Sequence, residues 1–341
     1  MVKTNVHFPT DINLLWDAVR KAIELTYQLC TKYGILGWRQ FAYNLKIIKK
    51  FYRAAQQSKK ARGKDVKQKQ KVHDGIKQAH QSYVDLSLYY LTKVTQTIKD
   101  IEKNCHINLV DVVLIDEIKK FVAHGQRQIN QIIRRVINEE KIPHNEKVFS
   151  LFEPHTEWIN KGKLGVFVEL GLKVCIVEDQ NQFILHQKVM MQTVDSDISL
   201  LMAQETKTMF NNLESMSYDR GFYSSKNREE LQKMLEKVAL PKRGRHSQKD
   251  NQIEASEGYQ KAKQKHSAVE SAINALDVHG LDRCPDKGLT GFERYVALAI
   301  VARNIQRIGA ILQKKRQRKL LLRKRRERRA LLLGEQIKKA A

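Results

Sequence analysis

The 341-residue sequence predicts a mostly helical protein, in which a large all-α block is followed by an α/β layer. Two observations lead to this prediction. Between residues 12 and 140, apolar side chains recur at helical spacing along several long segments. After Pro143, β-rich runs alternate with amphipathic segments, and this order is typical of an α/β layer.

The first block is expected to be a bundle of antiparallel helices over 12–140. Residues 1–11 look extended, and the sequence Pro-Thr-Asp at 9–11 is a helix-start signal with Thr10 or Asp11 as the N-cap. The basic stretch 59–80 is expected to be a solvated helix face or a loop. The remaining helices are expected at about 12–30, 38–61, 83–101, where Leu86, Tyr90, Val94, Ile98 and Ile101 form one stripe, and 110–140.

The second block contains shorter elements that alternate in type. The runs 165–179 and 182–191 are joined by a turn of hairpin length, so they should form a β-hairpin. Residues 240–252 read as a polar basic loop. The other strands are expected at 147–152 and 213–219, and the helices at 196–210, 226–237, 257–277 and in a last packed segment that ends near residue 312.

The charge of the chain is its most informative bulk property. Sixty-two Lys and Arg against 37 Asp and Glu give a net charge of +25, and a field of this sign attracts polyanions, most often nucleic acid. A ribosome-like structural binder or a basic membrane-surface protein would have the same charge. In the tail 314–329, eleven of 16 residues are basic, which predicts a frayed helix that binds polyanions without sequence preference.

The cysteines and the apolar runs restrict the class of protein further. The four cysteines lie far apart with no Cys-x-x-Cys pair, which excludes a zinc ribbon and disfavours a disulfide framework. No uninterrupted apolar run approaches the roughly 20 residues that span a bilayer, and the first residues contain no signal-peptide-like apolar region. We therefore expect a cytoplasmic protein with no membrane partner and no small-molecule substrate.

Two acidic residues are candidates for chemistry. Asp219 follows the expected strand 213–219 and precedes Gly221, which would allow a positive φ and a sharp exit from the strand. Such an acid often serves a ligand or a reaction, and it is also a common ordinary turn residue. Glu270 lies on the later helix beside a stripe expected to be buried, formed by Val269, Ile273 and Leu276, where a surface role is the plain alternative. Together the two carboxylates could share a pair of Mg²⁺ (or Mn²⁺) ions.

Several segments, in the same order along the chain, carry a resemblance to a known family. "HFPTDINLLWDAVRKAI" (7–23), "EKVFSLFEPHTEWINKGKLGVFVELGLKVCIVEDQ" (146–180), "SYDRGFYSSKNREELQ" (217–232) and the segment 265–309 resemble bacterial insertion-sequence transposases of the DDE, RNase H-like type, near the ISNCY-like subgroup. The resemblance covers about Thr4 to Gly309. It implies an α/β RNase H-like core over 144–312, with a remnant of the first-strand region at 1–11, an all-α insertion at 12–143 and a basic tail at 313–341.

The resemblance also implies roles for individual residues. Asp219 corresponds to the second catalytic acid and Glu270 to the third, and both would hold Mg²⁺ or Mn²⁺ for DNA strand cleavage and strand transfer. The first acid of the family stands on a strand just before the segment that begins at Thr4. This chain starts at Met1, so it is expected to be N-terminally truncated and to lack that acid. Glu153 is the best internal substitute.

The expected partner is double-stranded DNA, both the terminal repeats of an element and its target, and a homodimer is compatible with this function. The alternatives are a catalytically dead transposase remnant and a basic helical nucleic-acid-binding protein without enzymatic activity. The candidates for phosphate contacts are Lys242, Arg243, Arg245, Arg283, Lys287, Arg323, Arg325 and Arg326.

Overall fold

The computed structural model describes residues 1–163, 165–266 and 268–340, without the side chains of residues 163, 166, 268 and 331–340. The chain divides into two compact units, a helical unit Val6–Thr156 and a second unit made of Met1–Asn5 and the chain from Glu157 onward. The helices are α1 Asp11–Lys32, α2 Phe41–Ser58, α3 Val66–Asn104, α4 Leu109–Ile132, α5 Asp195–Met209, α6 Ser225–Met234, α7 Gln248–Ala255, α8 Glu257–His266, α9 Ala268–Leu276 and α10 Gly288–Ala340.

In the helical unit, α1 to α4 pack around one apolar core that includes Leu15, Ile23, Trp38 and Ile118. Thr10 is the N-cap of α1, as the sequence predicts, because its hydroxyl accepts a hydrogen bond of 3.3 Å from the backbone N–H of Asn13. The helices α1, α2 and α4, the last continued by a short π-helix to Ile137, lie within a few residues of their predicted positions.

The third helix is longer than the sequence suggests. It is one continuous helix of 39 residues that takes in most of the basic stretch, since Asp65 caps its start and accepts from the backbone N–H of Gln68. Its C-terminal half carries the predicted apolar stripe, in which Tyr90, Val94 and Ile98 are buried. The basic half therefore extends from a helix whose other end is fixed in the core.

The strand predicted at 147–152 is wrong, because this segment is irregular. The hydroxyl of Ser150 accepts hydrogen bonds of 3.3 and 3.0 Å from the backbone N–H groups of Phe152 and Glu153, and these bonds hold a turn. The ring of Phe152 lies 5.9 Å from that of Phe121 on α4. The apolar residues of this segment thus pack on the helical core instead of pairing with a strand.

The second unit is built on a mixed five-stranded sheet. Its strands are β1 Val2–Thr4, β2 Glu157–Lys163, β3 Val166–Glu178, β4 Ile184–Met190 and β7 Arg283–Cys284. The long β3 is antiparallel to β1, β2 and β4, and β1 is parallel to β7. The predicted β3–β4 hairpin is confirmed, whereas β2, which is rich in Lys and Gly, was not predicted.

Helices cover both faces of this sheet. Phe292, Val296 and Ile300 of α10 pack with Leu172 of β3 on one face. Ile198 and Met202 of α5 pack with Cys175 and Met190 on the other. The chain is mostly helical with a small mixed sheet, as predicted.

Two further strands, β5 Ser215–Ser217 and β6 Lys237–Ala239, form a separate parallel pair. The strand β5 is shorter than the predicted 213–219, and among the described residues β5 pairs with β6 alone. The helix predicted at 226–237 ends at Met234, and the three residues from Lys237 pair instead with β5. Leu231 and Leu235 are buried beneath this pair and anchor it.

The tail predicted as a separate frayed segment is continuous with the last helix, so α10 runs over 53 residues from Gly288. Within it, Gly288–Ala330 is the one stretch of the described chain with the length and composition to cross a membrane. The inward face of the same helix packs on the sheet.

Candidate metal and nucleic-acid site

Asp219 stands at the carboxyl end of β5, just before a single 3-10 turn at Arg220–Phe222. Its side chain is 76% exposed. Gly221 does not have the positive φ that we expected. A Cβ at this position would lie 2.9 Å from Oδ2 of Asp195. The turn is thus packed closely against the start of α5, and the Asp219 carboxylate faces solvent.

His266, the last residue of α8, fixes the Asp219 carboxylate. Its Nε2 lies 3.1 Å from Oδ1 of Asp219, and its Nδ1 lies 3.1 Å from Oγ of Ser217 on β5. A neutral imidazole satisfies both contacts if Nε2–H donates to the carboxylate and Nδ1 accepts from the hydroxyl. One oxygen of Asp219 is therefore engaged by the imidazole, which sets the orientation of the other.

Glu270 follows His266 by four residues, in α9, and is exposed. The buried face of α9 differs from the predicted one, because Ala272 and Leu276 are buried, whereas Ile273 is 41% exposed. The prediction of Ile273 in the buried stripe is therefore wrong, and the small Ala272 lies in the core instead. His266, which contacts the Asp219 carboxylate, lies two residues before the start of α9, the helix that carries Glu270.

Asp219 and Glu270 are donors of the chemical type that Mg²⁺ prefers. Mg²⁺ in phosphoryl-transfer sites is commonly held by one or two carboxylates together with substrate phosphates, and Asp219 and Glu270 could supply two carboxylates. Across the residues that the structure describes, no group of three or more His, Cys, Asp or Glu side chains is placed to hold a metal. Any metal here would depend on water and phosphate oxygens for its remaining ligands.

Glu153, the predicted substitute for a missing acid, belongs to the helical unit. Its side chain is 10% exposed, against 76% for Asp219, and its Oε2 lies 3.7 Å from Nδ1 of His155. Burial lowers the pKa of His155, while the nearby Glu153 carboxylate raises it. Glu153 is thus a buried residue with a local partner.

A basic loop follows β6 and is tied to the turn after Asp219, because Nε of Arg220 donates to the backbone oxygen of Lys242 at 3.1 Å. The Lys242 ammonium itself contacts Asp250 at 2.5 Å, which makes it a structural ion pair. Arg243 and Arg245 are exposed on either side of Gly244, whose φ is +90°. The loop therefore presents the guanidinium groups of Arg243 and Arg245 to solvent, whereas Lys242 forms an ion pair within the protein.

Asp250 is the centre of that local network. Its carboxylate accepts from Lys242, Arg228 and the hydroxyl and backbone N–H of Ser247. The Lys242 ammonium, followed by Ser247 and Arg228, holds the pKa of Asp250 far below its usual range. The carboxylate therefore stays charged at neutral pH, and it fixes the base of the loop that carries Arg243 and Arg245.

The other predicted phosphate contacts lie at two places. Arg283 on β7 and Lys287 just beyond it are exposed. On α10, Arg325 and Arg326 are also exposed, and Arg323 makes a 2.8 Å ion pair with Glu327 one turn on. An exposed i,i+4 ion pair of this kind is weak, so it does not withdraw Arg323 from a polyanion.

Two contacts in this region were not predicted from the sequence. One is His266, and its position four residues before Glu270 is the signal that could have revealed it. The other is the Lys173–Asp195 ion pair of 2.9 Å beside Gly221.

Burial, followed by the charge of Asp195, raises the pKa of the Cys175 thiol to about 12, so that thiol stays protonated and is no candidate nucleophile.

In comparisons with known proteins, no family model matches the chain, and no curated protein or solved structure is significantly similar to it. The assignment of function therefore depends on the geometry and charge described above.

Proposed function

We propose that this chain acts on double-stranded DNA as a transposase-type protein, in which Asp219 and Glu270 contribute to a divalent-metal centre for strand cleavage and strand transfer. The observation that carries the proposal is the coupling of an exposed carboxylate to a basic loop. Asp219 lies two residues beyond the end of β5, and the next residue, Arg220, is hydrogen-bonded to the loop that presents Arg243 and Arg245. A phosphodiester held by these arginines would lie near the carboxylate.

The chemistry assigned to the chain's own groups is limited and specific. A bound pair of Mg²⁺ or Mn²⁺ ions would supply activation of the attacking oxygen and stabilisation of the leaving oxygen in an in-line displacement. Asp219 and Glu270 would hold that metal. His266 orients the Asp219 carboxylate through its 3.1 Å contact and so acts as a positioning residue. Arg243 and Arg245 would bind phosphate oxygens of the backbone.

The basic surface supplies the affinity for DNA. The net charge of +25 and the exposed arginines of α10 favour contacts to the phosphate backbone that do not depend on base sequence. We therefore expect tight but unselective binding at low salt. The orientation of the duplex would be set by the smaller loop, where the guanidinium groups lie beside the carboxylate.

A second candidate function is DNA binding without cleavage. It is favoured by the number of carboxylates, because the described residues contain no third ligand beside Asp219 and Glu270. Two carboxylates hold a pair of divalent ions less well than three, so even the first function predicts slow cleavage that is best seen with Mn²⁺. Both candidate functions include binding to DNA, and only the first includes cleavage of a phosphodiester bond.

The experiment is a nicking assay on supercoiled plasmid with Mg²⁺, Mn²⁺ or EDTA, together with a gel-shift assay on the same DNA. Metal-dependent nicking that disappears in Asp219→Asn and in Glu270→Gln, but persists in the exposed-acid control Glu257→Gln, supports the transposase-type function. DNA binding without nicking in all four proteins supports the second candidate. Absence of DNA binding at low salt refutes both.

A further inference from the structure

The exposed side of α10 carries a second apolar stripe that the fold leaves without a partner. Five large apolar side chains on it are between 49% and 62% exposed. They are Leu298, Val301, Ile305, Ile308 and Leu312. Their spacing alternates between three and four residues, which is the a/d pattern of a coiled coil.

This stripe is distinct from the face that α10 packs on the sheet. The inward face is formed by Phe292, Val296 and Ile300, which are 1%, 0% and 6% exposed. It continues into Asn304, whose amide exchanges hydrogen bonds of 3.0 and 2.9 Å with the backbone of Ile184. At about 100° per residue, the outer stripe is centred about 140–160° away, or roughly four-tenths of a turn. The helix therefore has one satisfied apolar face and one exposed apolar face.

We propose that the outer stripe is the dimer interface of this protein, in which α10 of one copy packs against α10 of a second copy as a short antiparallel coiled coil. The stripe is complementary to itself. With a two-fold axis between Gln306 and Arg307, Ile305 faces Ile308 of the other copy and Val301 faces its Leu312, so that each a position meets a d position. The outermost layer pairs Leu298 with the stem of Lys315, whose ammonium reaches solvent.

The charge of the tail selects the antiparallel orientation. Eleven of the 16 residues at 314–329 are basic, and a parallel pair would align these two segments side by side. Like charges at that distance repel, whereas the antiparallel pair directs the tails to opposite ends. The positions that flank the stripe are small and uncharged, with Ala302 and Gly309 one heptad apart, and space around Gly309 is open. Two helices can therefore approach closely along this stripe.

A second copy also explains why the composition of α10 is apolar enough to cross a membrane. Its apolar residues are divided between the sheet-facing stripe and the outer stripe. The seam from Leu298 to Lys315 is about 26 Å long at 1.5 Å per residue, or about two and a half heptads. A seam this short predicts dimerisation in the micromolar range, a value typical of small interfaces. This inference does not depend on the proposed DNA chemistry.

The test is the oligomeric state of the full chain by sedimentation equilibrium, after nuclease treatment and in 0.5 M salt, so that shared nucleic acid cannot bridge two copies. We expect a mass approaching twice 39.7 kDa at about 100 µM for the wild type. Ile305→Glu and Ile308→Glu should be monomers at the same concentration, because each would place a carboxylate in an apolar layer. The matched controls Gln313→Glu and Gln317→Glu add the same charge outside the stripe and should remain dimers.

Orientation is tested by cysteine cross-linking with copper phenanthroline as the oxidant. A mixture of Ile305→Cys and Ile308→Cys chains should give a disulfide-linked heterodimer in higher yield than either variant alone. If a glutamate variant loses helicity, the dimer dissociation constant of Ile305→Ala is measured instead. It should be about tenfold higher than that of the wild type. A wild type that is monomeric at about 100 µM overturns the proposal, and so do glutamate variants that remain dimers. Binding of the wild type, but not Ile305→Glu, to phosphatidylcholine vesicles would assign the stripe to a membrane and also overturn it.

Discussion

The basic half of α10 should account for most of the salt dependence of DNA binding. The perturbation is deletion of residues 314–341. Because Phe292, Val296 and Ile300 precede the cut, the packing of α10 on the sheet is retained. Eleven of the 16 residues at 314–329 are basic, and with 3.6 residues per turn about five of them can face a duplex at once. At about 0.9 per phosphate contact, the slope of log affinity on log salt should fall by about 4.5.

That slope corresponds to a large and measurable difference. Between about 50 and 200 mM salt, the intact chain should lose about 500-fold more affinity than the deleted chain. Fluorescence anisotropy with a labelled duplex of arbitrary sequence measures both slopes. A full-length variant with the basic residues of 314–329 changed to Gln separates charge from helix length, and it should behave as the deletion does. Slopes that agree within about one unit for all three proteins would refute the reasoning.

Two further predictions concern stability. Asp250→Asn should lower the melting temperature at pH 7 relative to the exposed control Asp116→Asn. Lys242 lowers the pKa of Asp250 in the folded protein. The difference in melting temperature should therefore be full above the unfolded pKa of about 4 and should shrink as the pH falls below that value. A difference independent of pH would contradict the ion-pair explanation. Phe292→Ala should cost about 3–5 kcal/mol in urea unfolding because its ring is 1% exposed, whereas Leu298→Ala, at 59% exposed, should cost less than about 1 kcal/mol. Equal costs would show that the two faces of α10 are wrongly assigned.

Elements with a strong local signal were predictable from the sequence. The four helices of the first unit show apolar periodicity, and three of them have a side-chain cap, at Thr10, Asp65 and Asn108. The β3–β4 hairpin combines continuous apolar strands with a short turn. Such signals lie within about 20 residues of each other. They do not depend on what the segment packs against, so one sequence is enough to read them.

Elements that depend on distant partners were not predictable in the same way. The apolar run 147–152 has the composition of a strand, but Phe152 packs against Phe121 on a helix, and no strand of the described chain pairs with this run. The reverse holds for β6, whose three residues became a strand because β5 is available to pair with them. The helix α7 was predicted as loop, although Ser247 and Asp250 form a capping box that is visible in the sequence.

From the sequence, Asp219 and Glu270 could be identified as individual candidates, and the contacts around them could not. Asp219 at a strand end and Glu270 on a later helix were identified from local pattern, whereas the contact of Asp219 with His266 joins positions 47 residues apart. Lys242 was predicted to contact phosphate, but in the structure it forms an ion pair with Asp250, which belongs to the capping box of α7. Charge alone does not tell which lysine is free for phosphate.

The most direct test of the central claim is binding of Mn²⁺ to the purified chain, measured by electron paramagnetic resonance of the free ion in the presence of duplex DNA. We predict that Asp219→Asn and Glu270→Gln each weaken Mn²⁺ binding by about tenfold or more, as loss of a charged ligand should, while Glu257→Gln has no effect. Equal Mn²⁺ affinity in all four proteins would contradict the assignment of Asp219 and Glu270 to a shared metal centre.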